Sequence, residues 1–322
     1  MDHMVVHTGV FEYQGLDLSF TRWERQESLA YHSWMTAGFD SNAENARVPL
    51  ILLHGFAQSS ETWGEIASVL ADSQGIGAVY ALDLVGHGAS DKPKDAQLYE
   101  MPVVCDSVRD FCAWVAHREG EVPALVGYSM GGRIALECLS SFGWKPSLVP
   151  SRGLRRASTL PISALILESA GLGPLDEAAR EAFHQRNTEW AKKLREQGVS
   201  AFMDYWENLS LFETQRELPQ AKRDALRSAR ESNDAEALAR TFEGTGQHHQ
   251  HSELETISAL NAAIKSGLQV TYICGGRDPK YAAVAEKIGR ACPGVNVSEV
   301  PAVGHSVHLE NPEAFVRACL RA

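Results

Sequence analysis

Five short apolar runs recur along this chain, and each stops abruptly at a small or polar residue. Val48–Leu53 ends at His54-Gly55, residues 78–82 end at Asp83, and 124–126 end at Gly127. Residues 163–167 end at Glu168, and 268–273 end at Cys274-Gly275-Gly276. A short apolar run without alternation suits a strand buried on both faces, as in a parallel sheet. Helix-like periodicity lies between most of them, over 62–70, 103–117 and 132–140. Strand–helix alternation of this kind predicts an α/β protein with a mostly parallel, doubly wound sheet. Ahead of the first run, residues 4–34 alternate apolar and polar around Gly15 and read as two antiparallel strands, followed by a polar loop over 40–47.

The rhythm breaks once. From about 175 to 260 no strand candidate occurs, and Glu, Arg, Ala and Gln dominate, with Trp190, Phe202, Tyr205, Trp206 and Phe212 spaced through them. Amphipathic helices fit this pattern. Inserted after a strand's carboxyl end, they are expected to cap the edge where doubly wound sheets place their ligands. The expected organisation is a core over 1–172, a helical cap over 173–262 and the rest of the core over 263–322. A polar insertion over 145–160, carrying Lys145, Arg152, Arg155 and Arg156, reads as a solvated loop.

Several function classes are disfavoured. Thirty Lys and Arg against 41 Asp and Glu leave a net charge of −11, which argues against nucleic-acid binding. No apolar run reaches the roughly 18 residues of a membrane span, and the N-terminus has no signal-peptide pattern, so a cytoplasmic location is expected. Six cysteines without a Cys-x-x-Cys pair read as buried thiols. His248, His249 and His251 could be taken for metal ligands, but adjacent histidines do not share a helix face, so no metal is expected, nor any other cofactor. Monomer and homo-oligomer both stay open.

Gly127-Tyr128-Ser129-Met130-Gly131 matches G-x-S-x-G between a strand and a helix former, the setting of a nucleophile elbow. An activated serine needs a base, and His305 follows the last strand candidate, residues 295–301. The base needs an orienting carboxylate. Asp278 follows the preceding strand, and Glu168, before the cap, is the rival. His308 lies three residues past His305, in what reads as the start of the final helix. The order Ser129, Asp278, His305 is that of a hydrolase triad. Backbone N–H groups of Met130 and Phe56 are the expected oxyanion donors. His54 and the stretch from Asp83 to Ser90 are expected to hold turns.

These motifs together resemble the α/β-hydrolase superfamily over nearly the whole chain. A narrower resemblance, to the 2-succinyl-6-hydroxy-2,4-cyclohexadiene-1-carboxylate synthase family of menaquinone biosynthesis, is carried by 126–133, 167–172, 202–212, 274–281 and 304–312. It implies elimination of pyruvate from a ring substrate with three carboxylates, a small anionic partner. Such a substrate needs cations. Arg133, one helical turn beyond Ser129, is the first candidate, because arginine binds carboxylates bidentately. Arg186 and Arg230 are cap candidates that read equally well as exposed helix residues. Tyr128 and Trp206 are candidate lining residues that read equally well as core. The alternative activity is hydrolysis of an ester or a carbon–carbon bond through an acylated serine or activated water. A catalytically idle receptor is the third reading.

Overall fold

The computed structural model of the chain describes residues 3–26, 47–146 and 158–321. The readings over 27–34, 40–46 and 147–157 lie outside them. Eight strands form one sheet: β1 (His3–Tyr13), β2 (Leu16–Gln26), β3 (Val48–Leu53), β4 (Ile76–Leu82), β5 (Ala124–Tyr128), β6 (Ala164–Glu168), β7 (Gln269–Gly275) and β8 (Val295–Val300). Their spatial order is β1-β2-β4-β3-β5-β6-β7-β8. The β1–β2 and β2–β4 pairs are antiparallel and the other five parallel. The β1–β2 turn sits on Gln14 and Gly15, both at positive φ (50° and 81°), as a tight hairpin requires.

Alternation along the buried strands divides the core in two. Ile51 and Leu53 face one apolar layer, with Phe111, Ile134 and Leu136 from α2 (Met101–Glu119) and α3 (Met130–Phe142). Leu50 and Leu52 face the other, with Ile66 and Leu70 of α1 (Gly64–Ala71) and Phe315 near the C-terminus. A period-2 strand with apolar residues on both faces can only be stable between two layers of helices. Both layers exist, so β3 to β6 are almost wholly buried.

Between β6 and β7 the chain is helical: α4 (Glu177–Trp206), a 3-10 segment (Ser210–Glu217), α5 (Gln220–Glu231), α6 (Ala235–Gly244) and α7 (Glu253–Lys265). Gly198, at φ 78°, breaks the helical path of α4. A third apolar cluster lies under these helices, with Phe202, Trp206, Phe212, Leu238 and Phe242. Phe56 of the loop after β3 packs on it and stacks on Phe242, ring centroids 4.1 Å apart. α7 returns to the body of the fold, where its Leu260 and Ala263 join the layer of Ile51. The chain then forms β7, α8 (Pro279–Ala291), β8, the short α9 (Val307–Glu310) and α10 (Pro312–Cys319). Among the described residues no helix is long and apolar enough to cross a membrane.

Candidate active site

Only Ser129 separates β5 from α3, and it takes φ 49° and ψ −103°. A non-glycine residue there is strained, and the surroundings must hold it. Its N–H donates to the carbonyl of Glu168 at 2.8 Å, and its carbonyl accepts from the Arg133 N–H at 3.0 Å. The flanking glycines let the chain double back. A Cβ on Gly127 would meet Gly132 Cα at 2.6 Å, and one on Gly132 would meet the Ala170 Cβ at 2.6 Å. The hydroxyl therefore stands at the carboxyl edge of the sheet, beside the N-terminus of α3.

His305 and Asp278 come to it from the loops after β8 and β7. His305 Nε2 lies 3.0 Å from Ser129 Oγ, and its Nδ1 lies 2.8 Å from Asp278 Oδ2. Asp278 also caps α8, with Oδ1 accepting from the Tyr281 N–H at 3.1 Å and Pro279 in the first turn. One side chain thus starts a helix with one oxygen and holds the imidazole with the other. Both His305 and Asp278 are buried. With Nδ1–H donating to the carboxylate, Nε2 is the acceptor that faces the hydroxyl. The arrangement can pass a proton from serine to imidazole and stabilise the resulting cation.

The rival carboxylate serves elsewhere. Glu168 accepts from the His308 N–H at 3.0 Å and from His308 Nδ1 at 2.8 Å, and both side chains are buried.

Phe56 and Met130 line the cavity that also exposes Ser129. Neither backbone N–H has a hydrogen-bond partner among the described residues. The Phe56 loop is fixed by His54, which donates from Nδ1 to the Gly55 carbonyl at 2.7 Å and accepts from the Leu84 N–H at Nε2, 3.1 Å away. Burial pushes the His54 pKa down, which favours the neutral imidazole this bridge requires. Asp83 pins the next turn by accepting from the Ser60 and Ala89 N–H groups at 2.6 and 2.9 Å.

Tyr128, Arg133, Arg186, Trp206 and Arg230 all line the same cavity. Their electrostatic situations differ. Arg230 is buried, ion-paired with Glu207 at 2.7 Å and donating to Gln215 Oε1 at 3.0 Å. Among the described residues the Arg133 side chain donates only to the Thr245 carbonyl, at 3.3 Å, and burial pushes its pKa down to about 10, so it stays charged at neutral pH. Arg186 lies over the Trp190 ring, 4.6 Å from its centroid, and hydrogen-bonds Gln247 and Asn187. Burial lowers its pKa too. Neither Arg133 nor Arg186 has a carboxylate partner among the described residues. Burial keeps the Tyr128 hydroxyl protonated, and it shares a 2.5 Å hydrogen bond with Ser306 Oγ.

Sequence reasoning passed over Gln58, Trp190, Gln215, Lys280 and Ser306. Gln58 lines the cavity and accepts from the Gly55 N–H at 3.1 Å. Gln215, in the 3-10 segment, donates to Ser306 Oγ at 2.8 Å, beside His305. Lys280 and Ser306 lay inside the stretches 274–281 and 304–312 without being singled out, and Trp190 stands four residues after Arg186, on the same helix face. The three histidines disperse: His248 contacts Asn187, His249 bonds the Glu243 carbonyl and His251 bonds Glu137. Among the described residues no group of three His, Cys, Asp or Glu is placed to hold a metal ion. All six cysteines are unpaired and buried.

A protein of Bacillus subtilis (strain 168), provisionally named 2-succinyl-6-hydroxy-2,4-cyclohexadiene-1-carboxylate synthase, is 30% identical over 84% of this chain and 88% of its own length. The protein of that name from Serratia proteamaculans (strain 568) is 29% identical over 83% of this chain and 89% of its own. Among solved structures, MenH from S. aureus superposes with a TM-score of 0.72 at 25% identity, covering 86% of this chain and 93% of that one. The model of the alpha/beta hydrolase family matches residues 50–318. With the elbow, the sheet order and that match in agreement, the chain belongs to the alpha/beta hydrolase family.

Proposed function

We propose that this chain is a carbon–oxygen lyase that eliminates pyruvate from 2-succinyl-5-enolpyruvyl-6-hydroxy-3-cyclohexene-1-carboxylate, giving 2-succinyl-6-hydroxy-2,4-cyclohexadiene-1-carboxylate for menaquinone synthesis. The observation that carries the reading is the pair of guanidiniums, Arg133 and Arg186, in the cavity that holds Ser129, neither with a carboxylate partner among the described residues. Two half-buried cations without a carboxylate partner cost free energy unless an anion arrives to meet them. In a chain of net charge −11 they mark a site selective for a small polyanion. The names of the relatives supply the particular polyanion.

Asp278 orients His305, and His305 draws the proton from Ser129, so the Ser129–His305 pair acts as base. It removes the proton from the ring carbon beside the succinyl ketone. The enolate oxygen is received by the N–H groups of Phe56 and Met130. Electrons then move from the enolate into the ring. The ring double bond shifts, the carbon–oxygen bond to the enolpyruvyl group breaks, and pyruvate leaves as its enol after taking up a proton. The ring is left as the 2,4-diene. Ser129 need not be acylated. Arg133 and Arg186 hold carboxylates, while Arg230, paired with Glu207, lines the substrate site with Tyr128 and Trp206. The cap is the segment 173–262, which shields the developing charge from water. The site needs no metal or other cofactor, and the buried thiols suit the cytoplasm.

The test is pyruvate release from the purified chain given the enolpyruvyl substrate, read against a panel of nitrophenyl esters. Release with little ester turnover is expected. Ester hydrolysis through a trapped acyl-Ser129 without pyruvate release overturns the reading in favour of a hydrolase.

A further inference from the structure

The cavity is lined by four cationic side chains, and their pairing is unequal. Arg230 is already neutralised by Glu207. Arg133 and Arg186 are not, and neither is Lys280, which is exposed at the cavity edge on the first turn of α8. Its Nζ lies 4.9 Å from the centroid of the Tyr281 ring, and no carboxylate pairs with it among the described residues. Most lysines of this chain stand on solvated faces; this one borders the site two residues after the carboxylate that orients His305. The Tyr281 ring in turn packs against the His305 ring, centroids 4.7 Å apart.

We propose that Lys280 is a specificity residue that binds one carboxylate of the substrate at the cavity edge. The inference rests on the elimination proposed above, whose substrate has three carboxylates. Three unpaired cations, Arg133, Arg186 and Lys280, then match three anions, while the Glu207 contact keeps Arg230 from adding a further charge. An ammonium on a flexible stem suits this position, because the carboxylate it meets stays partly solvated and needs a point charge rather than a bidentate fork. It also gives the acidic protein a local positive field at the entrance, which raises the encounter rate with a polyanion. The Lys280 ammonium lies over the Tyr281 ring, which packs on the imidazole, so the bound carboxylate lies on the triad side of the cavity.

The test compares Lys280→Met and Lys280→Arg with the unchanged protein, using Lys265→Met as a control on an exposed lysine distant in sequence from the site. Lys280→Met is expected to raise KM for pyruvate release about tenfold, as for loss of one charge-assisted contact, and to leave kcat within about twofold. It should also flatten the fall of kcat/KM with salt. Lys280→Arg should recover most of the affinity, and Lys265→Met should change nothing. A KM within twofold of the original for Lys280→Met, in a protein that releases pyruvate, overturns the proposal and leaves the elimination standing. If the unchanged protein releases no pyruvate, the elimination fails instead. Binding of tricarballylate then decides: weaker binding by Lys280→Met upholds an anion site, and equal binding removes it.

Discussion

Glu168 and His308 form a second buried acid–imidazole pair beside the one at Asp278 and His305, with His308 Nδ1 2.8 Å from the Glu168 carboxylate. It is built for stability. His308 Nε2 has no partner among the described residues, and the ring packs on Trp63 with centroids 4.5 Å apart. No hydroxyl waits at its far side. Removing the carboxylate leaves a buried imidazole and a backbone N–H without acceptors. Glu168→Ala should therefore lose about 3–5 kcal/mol of stability, the range for breaking a buried pair, while Glu168→Gln, which keeps one acceptor oxygen, should lose less. Urea unfolding reads both. A Glu168→Ala protein as stable as the original, but without activity, would make this carboxylate part of the chemistry.

The Ser129–His305 contact makes the opposite prediction. Ser129 is partly exposed to the cavity, and its side chain caps nothing in α3. Ser129→Ala should fold with unchanged stability and lower kcat about 10²–10⁴-fold, the range for loss of general-base catalysis. Asp278→Asn should act in the same direction, because an amide accepts from Nδ1–H less well and can turn the imidazole to the wrong tautomer. It should also weaken the start of α8, where the same side chain caps Tyr281. Near-full pyruvate release by Ser129→Ala would remove the serine from the mechanism.

The strand runs and the elbow were legible because they obey local rules. β5 and α3 are separated by one residue, and only G-x-S-x-G spacing permits that turn, so Ser129 could be located from five letters. Asp278 was read from its place after a strand and from the chain order Ser129, Asp278, His305. The cap was legible as helices but not as contacts. Whether Arg186 and Arg230 face water or the cavity depends on how α4 and α5 pack, and the break at Gly198 shifts that register. The Arg230–Glu207 pair joins two helices 23 residues apart in sequence, a distance at which no periodicity carries information. Gln58 and Ser306 were missed for the same reason, since ordinary polar letters acquire a role only when a fold brings a partner.

Arg133 offers a test of the anion argument by chemistry rather than by loss alone. It stands on α3 four residues after Ser129, and among the described residues its guanidinium hydrogen-bonds only the Thr245 carbonyl. Arg133→Met should raise KM about 10- to 100-fold, in keeping with about 1.5–3 kcal/mol for a hydrogen bond to a charged group. Arg133→Lys should recover only part of this, because an ammonium cannot present the planar fork. Michaelis constants for pyruvate release separate the three. Equal constants for all three would mean that the guanidinium meets no carboxylate.

A last prediction concerns acid. His248 lies among the inserted helices with the His249 and His184 rings 4.0 and 5.0 Å away, and Arg180 and Arg133 add positive charge near it. Burial first, and then these neighbouring positive groups, push its pKa down to about 4 from the ordinary 6.5. Above pH 6.5 the ring is neutral whether the chain is folded or not, and it contributes no pH dependence. As pH falls from 6.5 towards 4, the unfolded chain takes up a proton that the folded chain refuses, so stability falls through that window and levels off below it. His54 and His87, also lowered by burial, act in the same sense but are untouched by a change at 248. His248→Gln, which keeps an acceptor for Asn187, should therefore lose stability less steeply between pH 6.5 and 4 and match the original slope above pH 7. Urea unfolding at half-unit pH steps measures this, and coincident slopes throughout the window would mean that His248 protonates as readily in the folded chain as in the unfolded one.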